Sequence, residues 1–133
     1  MTAGYSGTPL AKKLSLKDGM KLWVDGMPAS VRAEMDSSGL DLRFSNEPPV
    51  EAAHIFVTRR ADLEAKIHQL LPILEPSGFI WVSWPKKSAK VETDITEDTI
   101  RDVALPLGLV DVKVCAVDET WSGLKLVIRR ENR

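Results

Sequence analysis

The chain is predicted to fold as an α/β unit: a mostly parallel sheet of about six strands, helices on both faces, closing on an antiparallel hairpin. Three stretches carry that prediction. Gly78 to Lys87, GFIWVSWPKK, is apolar from Phe79 to Trp84 except at Ser83. A short aromatic-rich run without alternation, bounded by Gly78 and Pro85, reads as a strand buried on both faces. His54 to Thr58, HIFVT, is a second such run and leads straight into a stretch of helical periodicity. At the end, Leu109 to Val117 and Leu124 to Arg130 are separated only by Asp118 to Gly123. That spacing suits a hairpin loop and is too short for a crossover helix.

The remaining elements follow in chain order. Residues Thr2 to Gly7 are small and polar, suited to a flexible arm. Thr8 followed by Pro9 is a helix start, with a hydroxyl N-cap and proline in the first helical position. The helix Pro9 to Leu14 would bury Leu10 and Leu14. Met20 to Asp25 is the first strand, and Gly26-Met27-Pro28 turns it into a helix over Pro28 to Met35. Leu40, Leu42 and Phe44 alternate with Asp41 and Arg43 in a second, half-exposed strand. Pro48-Pro49 cannot continue it.

After His54 to Thr58 comes a helix over Ala61 to Leu74, in which Leu63, Ile67, Leu70, Leu71 and Leu74 make one apolar face. Pro72 should kink or end it. Thr96 caps the next helix, with Ile95 and Ile100 placed for a hydrophobic staple. Ile100, Val103, Ala104 and Leu107 face inward, and Gly108 is the expected stop. In Leu109 to Val117, Val110, Val112, Val114 and Ala116 fall on one side and Asp111, Lys113 and Cys115 on the other. Nothing marks a domain boundary, so residues 1–133 are expected to form one domain.

Composition narrows the function classes. The chain has 133 residues, is 44% apolar and carries a net charge of −1. That is enough apolar material for a core, and the charge balance argues against a dedicated nucleic-acid binder. The single cysteine, Cys115, excludes an internal disulfide and fits a reducing cytoplasm. No apolar run approaches a membrane span, and MTAGYSGTPLAKK lacks the apolar centre of a signal peptide. A cytoplasmic protein is expected.

The order of elements from about Lys17 to Arg130 resembles a shortened class I methyltransferase fold, a Rossmann-like sheet whose last strand inserts between its two predecessors. The resemblance implies the spatial order, by strand start, Leu40, Met20, His54, Phe79, Leu124, Leu109. It also brings the ends of the strands at Asp25, Thr58 and Trp84, and the loop Asp118 to Ser122, to one edge of the sheet. In such sheets ligands gather at the carboxyl ends of the strands. Arg59, Arg60, Lys86 and Lys87 would share that rim with Asp25, Trp84, Trp121 and Ser122.

Four phrases, GYSGTPLAKKL, FVTRR, WVSWPKK and VDVKVCAVDETWSGLK, resemble the bacterial domain-of-unknown-function family 3052 along essentially the whole chain. The resemblance implies a bacterial cytoplasmic origin. It draws interest to Gly4 to Leu10, Arg59, Trp84-Pro85-Lys86 and Trp121-Ser122-Gly123. It transfers no catalytic residue.

The chemistry is otherwise sparse. A methyltransferase cofactor loop is glycine-rich so that backbone can approach the ligand. Here the first strand ends Asp25-Gly26-Met27-Pro28, with one glycine, although Glu47 is available as a ribose-binding acid. Ser83, Ser122 and Cys115 are possible nucleophiles, and His54 and His68 are the only histidines. His54, read as the first residue of its strand, would lie at the edge opposite the rim, and no G-x-S-x-G elbow exists. No paired Cys/His spacing suggests a metal, and no catalytic residue or cofactor is assigned.

The expected function is therefore non-catalytic binding of an anionic small molecule or acidic partner segment at the carboxyl edge. Arg59 and Lys86, with Arg60 and Lys87, would supply charge, Trp84 and Trp121 surface, and Ser122 a hydrogen bond. Asp25 shares the site. The alternatives are a divergent S-adenosylmethionine-dependent methyltransferase and a regulatory protein–protein interaction module.

Overall fold

The computed structural model describes residues 9–133. Its sheet has six strands in the order β2-β1-β3-β4-β6-β5, the order predicted from the sequence. The strands are β1 (Lys21–Asp25), β2 (Arg43–Phe44), β3 (Val50–Phe56), β4 (Leu74–Pro85), β5 (Leu109–Ala116) and β6 (Trp121–Ile128). β1 to β4 pair in parallel, and β6 runs antiparallel between β4 and β5. The helices are α1 (Leu10–Lys13), α2 (Ala29–Asp36), α3 (Arg60–Leu70) and α4 (Glu97–Ala104). Thr8 and the arm through residue 7 lie outside the described residues.

Two apolar layers sandwich the sheet. On one face Ala53, Ile55, Val57, Ile80, Val82, Trp84, Leu124 and Leu126 meet Leu63, Ile67 and Leu70 of α3 and Ile100 and Val103 of α4. On the other, Ala52, Phe56, Phe79, Trp81 and Cys115 meet Leu10 of α1, Leu14 just after it, and Val31 and Met35 of α2. β4 feeds both layers because its neighbouring residues point to opposite sides. This accounts for its unbroken burial from Gly78 to Pro85.

Capping follows the sequence closely at α4. Thr96 accepts from the Thr99 N–H and Thr99 Oγ1 accepts from the Thr96 N–H, a reciprocal cap. Ile95 and Ile100 are both buried in the same layer, and Gly108 takes a left-handed φ of 86° after the short 3-10 turn Leu105–Leu107.

Several boundaries differ from expectation, each for a local reason. The helix expected to reach Leu74 ends at Leu70, because Pro72 tightens Leu71–Ile73 into a 3-10 turn. β3 begins at Val50, immediately after the Pro48-Pro49 break. Its early pairing shifts register between Val50 and Ala52, leaving Glu51 exposed to accept the Lys21 N–H at 2.8 Å. β2 keeps only Arg43–Phe44, although Leu40, Leu42 and Phe44 do pack against the α2-side layer. β6 starts at Trp121, so Trp121 and Ser122 are strand residues and not loop residues. The turn before them is short because Asp118 Oδ1 accepts both the Thr120 and Trp121 N–H groups. In β5 a bulge between Asp111 and Lys113 breaks the simple alternation. Val112 and Val114 are left 54% and 52% exposed, while Cys115 is buried. Among the described residues no helix is long and apolar enough to cross a membrane.

Candidate functional site at the carboxyl edge

In a sheet of this order the strand sequence reverses between β1 and β3, which makes their carboxyl ends the switch point. β1 stops at Asp25, and Gly26 turns the chain with φ 71°. A Cβ on Gly26 would stand 3.1 Å from the Phe56 carbonyl oxygen, so glycine lets the turn press against β3. Lys66 reaches from α3 to form an ion pair with Asp25. The switch point is thus bridged by protein groups, and Asp25 is committed to Lys66.

The open space lies one strand end further along. β3 is followed by Thr58 and Arg59, and the segment Glu92 to Asp94 folds back over them. The Asp94 N–H donates to the Thr58 carbonyl at 3.2 Å, and Thr93 Oγ1 donates to the same oxygen at 2.7 Å. Asp94 Oδ1 accepts the Arg60 N–H at 2.7 Å, tying the loop to the start of α3. Together Thr58, Arg59, Glu92, Thr93 and Asp94 line a cleft of about 250 Å³. Arg59 itself is exposed, and its side chain makes no hydrogen bond or ion pair among the described residues.

The other predicted residues distribute as follows. Arg60 pairs with Glu64 at 2.9 Å, so its charge is partly satisfied along the helix. Lys86 follows β4, its backbone N–H held by the Thr120 carbonyl at 2.8 Å, and Lys87 opens an exposed 3-10 turn. Trp84, 9% exposed, is packed among the α3 and α4 layer. Trp121 stands edge-on to Phe56 at 5.2 Å on the opposite face. The two tryptophans therefore do not form one platform. Ser122 sits in the ladder between Trp84 and Ala116.

One polar pair escaped the sequence reading. His54 lies within β3, not at its start, and its Nε2 is 2.7 Å from Ser83 Oγ. His54 is 1% and Ser83 0% exposed. Distance alone would suit a nucleophile and base, but no substrate atom can reach a hydroxyl so enclosed. Among the described residues His54 Nδ1 has no hydrogen-bond partner, so none of them orients the ring as a catalytic base requires. The ring stacks on Phe56 at 4.3 Å, and burial pushes the imidazole down to about 3. The pair is a polar tie inside the sheet. A clue was present: His54 and Ser83 are the lone polar residues in the adjacent buried stretches 52–57 and 78–85, and buried polar groups need partners.

No family model matches the chain, and no curated protein matches it. Solved structures do match in fold. A SAM-dependent methyltransferase from Aquifex aeolicus superposes with a TM-score of 0.59 at 14% identity, over 90% of this chain and 88% of that one. The precorrin-6y C5,15-methyltransferase of Geobacter metallireducens GS-15 gives 0.55 at 13%, over 90% and 86%. LepI in complex with SAM gives 0.56 at 10%, over 90% of this chain, which spans only 39% of that one. The chain thus has a methyltransferase-like fold.

Proposed function

We propose that this chain binds an anionic small molecule at the carboxyl edge of its sheet without catalysing a reaction, and that Arg59 is the anchoring cation. The observation that carries this reading is the unpaired guanidinium of Arg59, set on the wall of the Thr58–Asp94 cleft. Its backbone is held between a buried strand and α3, so little ordering is needed on binding. Glu92 and Asp94 on the same wall favour a ligand that carries a hydrogen-bond donor beside its anionic group. Lys86 and Lys87 follow the adjacent strand and would add longer-range attraction. Kinship with domain-of-unknown-function family 3052, and with it a bacterial cytoplasmic setting, belongs to the same proposal and is carried by the four quoted phrases alone.

Mass spectrometry of the native protein is expected to show a small anionic adduct. Arg59→Ala should weaken its binding roughly ten- to a hundredfold, the effect of losing one charge-assisted contact. Arg59→Lys should recover only part of that loss if the guanidinium binds in bidentate fashion. Stability should hardly change, because an exposed unpaired arginine contributes little to folding. Equal occupancy on the parent and on Arg59→Ala would remove the reading.

A second reading, a divergent methyltransferase, is favoured by the fold likeness. Against it stand the single glycine of the Asp25-Gly26-Met27-Pro28 turn, its close approach to Phe56 and the Lys66 bridge to Asp25. Calorimetric titration with S-adenosylmethionine is expected to show weak binding or none. Micromolar binding would overturn the non-catalytic reading and make Asp25 and Glu47 cofactor contacts.

A further inference from the structure

Away from the carboxyl edge, three lysines from three elements meet where α1 lies on the closing hairpin. Lys13 Nζ donates to the Ala116 carbonyl at 3.2 Å, which brings the end of α1 against β5. Lys113 Nζ on β5 donates to the Lys13 carbonyl at 3.1 Å. Lys125 Nζ on β6 donates to Ser15 Oγ at 3.1 Å and stands 4.5 Å above the Phe79 ring. The contacts of Lys113 and Lys125 to these oxygens each use one of an ammonium's three N–H donors.

The oxygens that meet Lys113 and Lys125 are a carbonyl and a hydroxyl, and neither lysine has an ion pair among the described residues. Residues 1–8, MTAGYSGT, contain no Asp or Glu that could supply one. The mutual proximity of the charges shows in two neighbours. Lys125 is pulled down by burial and then by the charge of Lys113. Cys115 is pushed up by burial, with Lys13 and Lys113 both opposing that shift. In a chain of net charge −1, positive charge is concentrated here without carboxylates for Lys113 and Lys125.

The negative end of α1 offsets part of this repulsion, but four residues make a weak dipole. We propose that Lys113 and Lys125, paired across β5 and β6 beside the charge of Lys13, form a site for a phosphate-bearing small anion, distinct from the Arg59 cleft. Compact point charges, with N–H donors to spare on Lys113 and Lys125, suit a tetrahedral, multiply charged group better than a single planar carboxylate. A bound anion would relieve the repulsion between Lys113 and Lys125. It would also tie α1 to the hairpin through shared contacts.

Inorganic pyrophosphate, titrated into the full chain at low ionic strength, tests this directly. Binding with submillimolar affinity is expected, weakened by added salt. Lys113→Met and Lys125→Met should each weaken it about tenfold or more, whereas Lys90→Met, which removes an exposed positive charge elsewhere, should change it little. Methionine keeps most of the Lys125 stem over Phe79. Should Lys125→Met still disturb folding, the exposed Lys113→Met gives the answer alone. Absence of binding to the parent protein would overturn the proposal. So would pyrophosphate binding that Lys113→Met leaves unchanged, since the anion would then sit elsewhere.

Discussion

Replacing Trp81 with alanine is expected to lower the stability of the fold by about 3–5 kcal/mol, the range for emptying a buried tryptophan site. Trp81 is 1% exposed in the centre of β4. Its ring fills the layer between the sheet and α1, where Leu10, Leu14, Val31 and Met35 also pack. Its Nε1–H donates to the Leu14 carbonyl at 2.9 Å, the bond that pins the end of α1 to the sheet. The ring also dictates its neighbour on β6: a Cβ on Gly123 would stand 3.2 Å from Trp81 Cε3 and 3.2 Å from Val117 Cγ2. Trp81→Phe keeps much of the apolar contact but strands the Leu14 carbonyl, a loss of about 1–3 kcal/mol. Urea denaturation should show both losses as lower midpoints with similar slopes. A Trp81→Ala midpoint equal to that of the parent would mean that α1 is not held through this ring.

Trp81 also marks how far the sequence could be read. The strand order was legible because it depends on quantities local in sequence: the burial of HIFVT and FIWVSW, the helix between them and the short final loop. Each restricts topology before any side chain is placed. The start of β6 was less legible. Trp121 and Ser122 look like loop residues until Asp118 is seen closing the turn with two backbone bonds.

The candidate site was legible only in part. Arg59 could be placed at a strand end, but the wall opposite it comes from Glu92 to Asp94, more than thirty residues downstream, as the separation of Arg60 from Asp94 shows. Nothing local announces that fold-back, or that Lys66 would occupy Asp25. The lysine cluster was invisible for the same reason. Its contact from Lys13 to Ala116 spans 103 positions and exists only because α1 docks on Trp81. The tie between His54 and Ser83 needed the register of β3 against β4, which sets His54 opposite Trp81 and Ser83 opposite Phe56.

Acidification is expected to destabilise the protein through His54. The imidazole titrates near 6.5 in the unfolded chain and at about 3 in the folded one. Burial is the cause: no charged group contributes, and Ser83 Oγ is the ring's hydrogen-bond partner. Above pH 6.5 the ring is neutral in both states, and its linkage to stability is absent. As pH falls from 6.5 towards 3, the unfolded chain takes up a proton that the folded chain refuses, and stability is lost at about 1.4 kcal/mol per pH unit. By pH 4.5 the loss from this group should reach about 2–3 kcal/mol. Below the folded value both states are protonated and the loss levels off. His54→Gln removes the titrating group while keeping an amide that can reach Ser83. It should be less stable than the parent at pH 7.5, having lost the stack on Phe56, yet flatter between pH 6.5 and 4.5. Urea midpoints measured across that window decide the matter. If parent and His54→Gln lose stability in parallel on acidification, the buried histidine is not the source of the acid sensitivity.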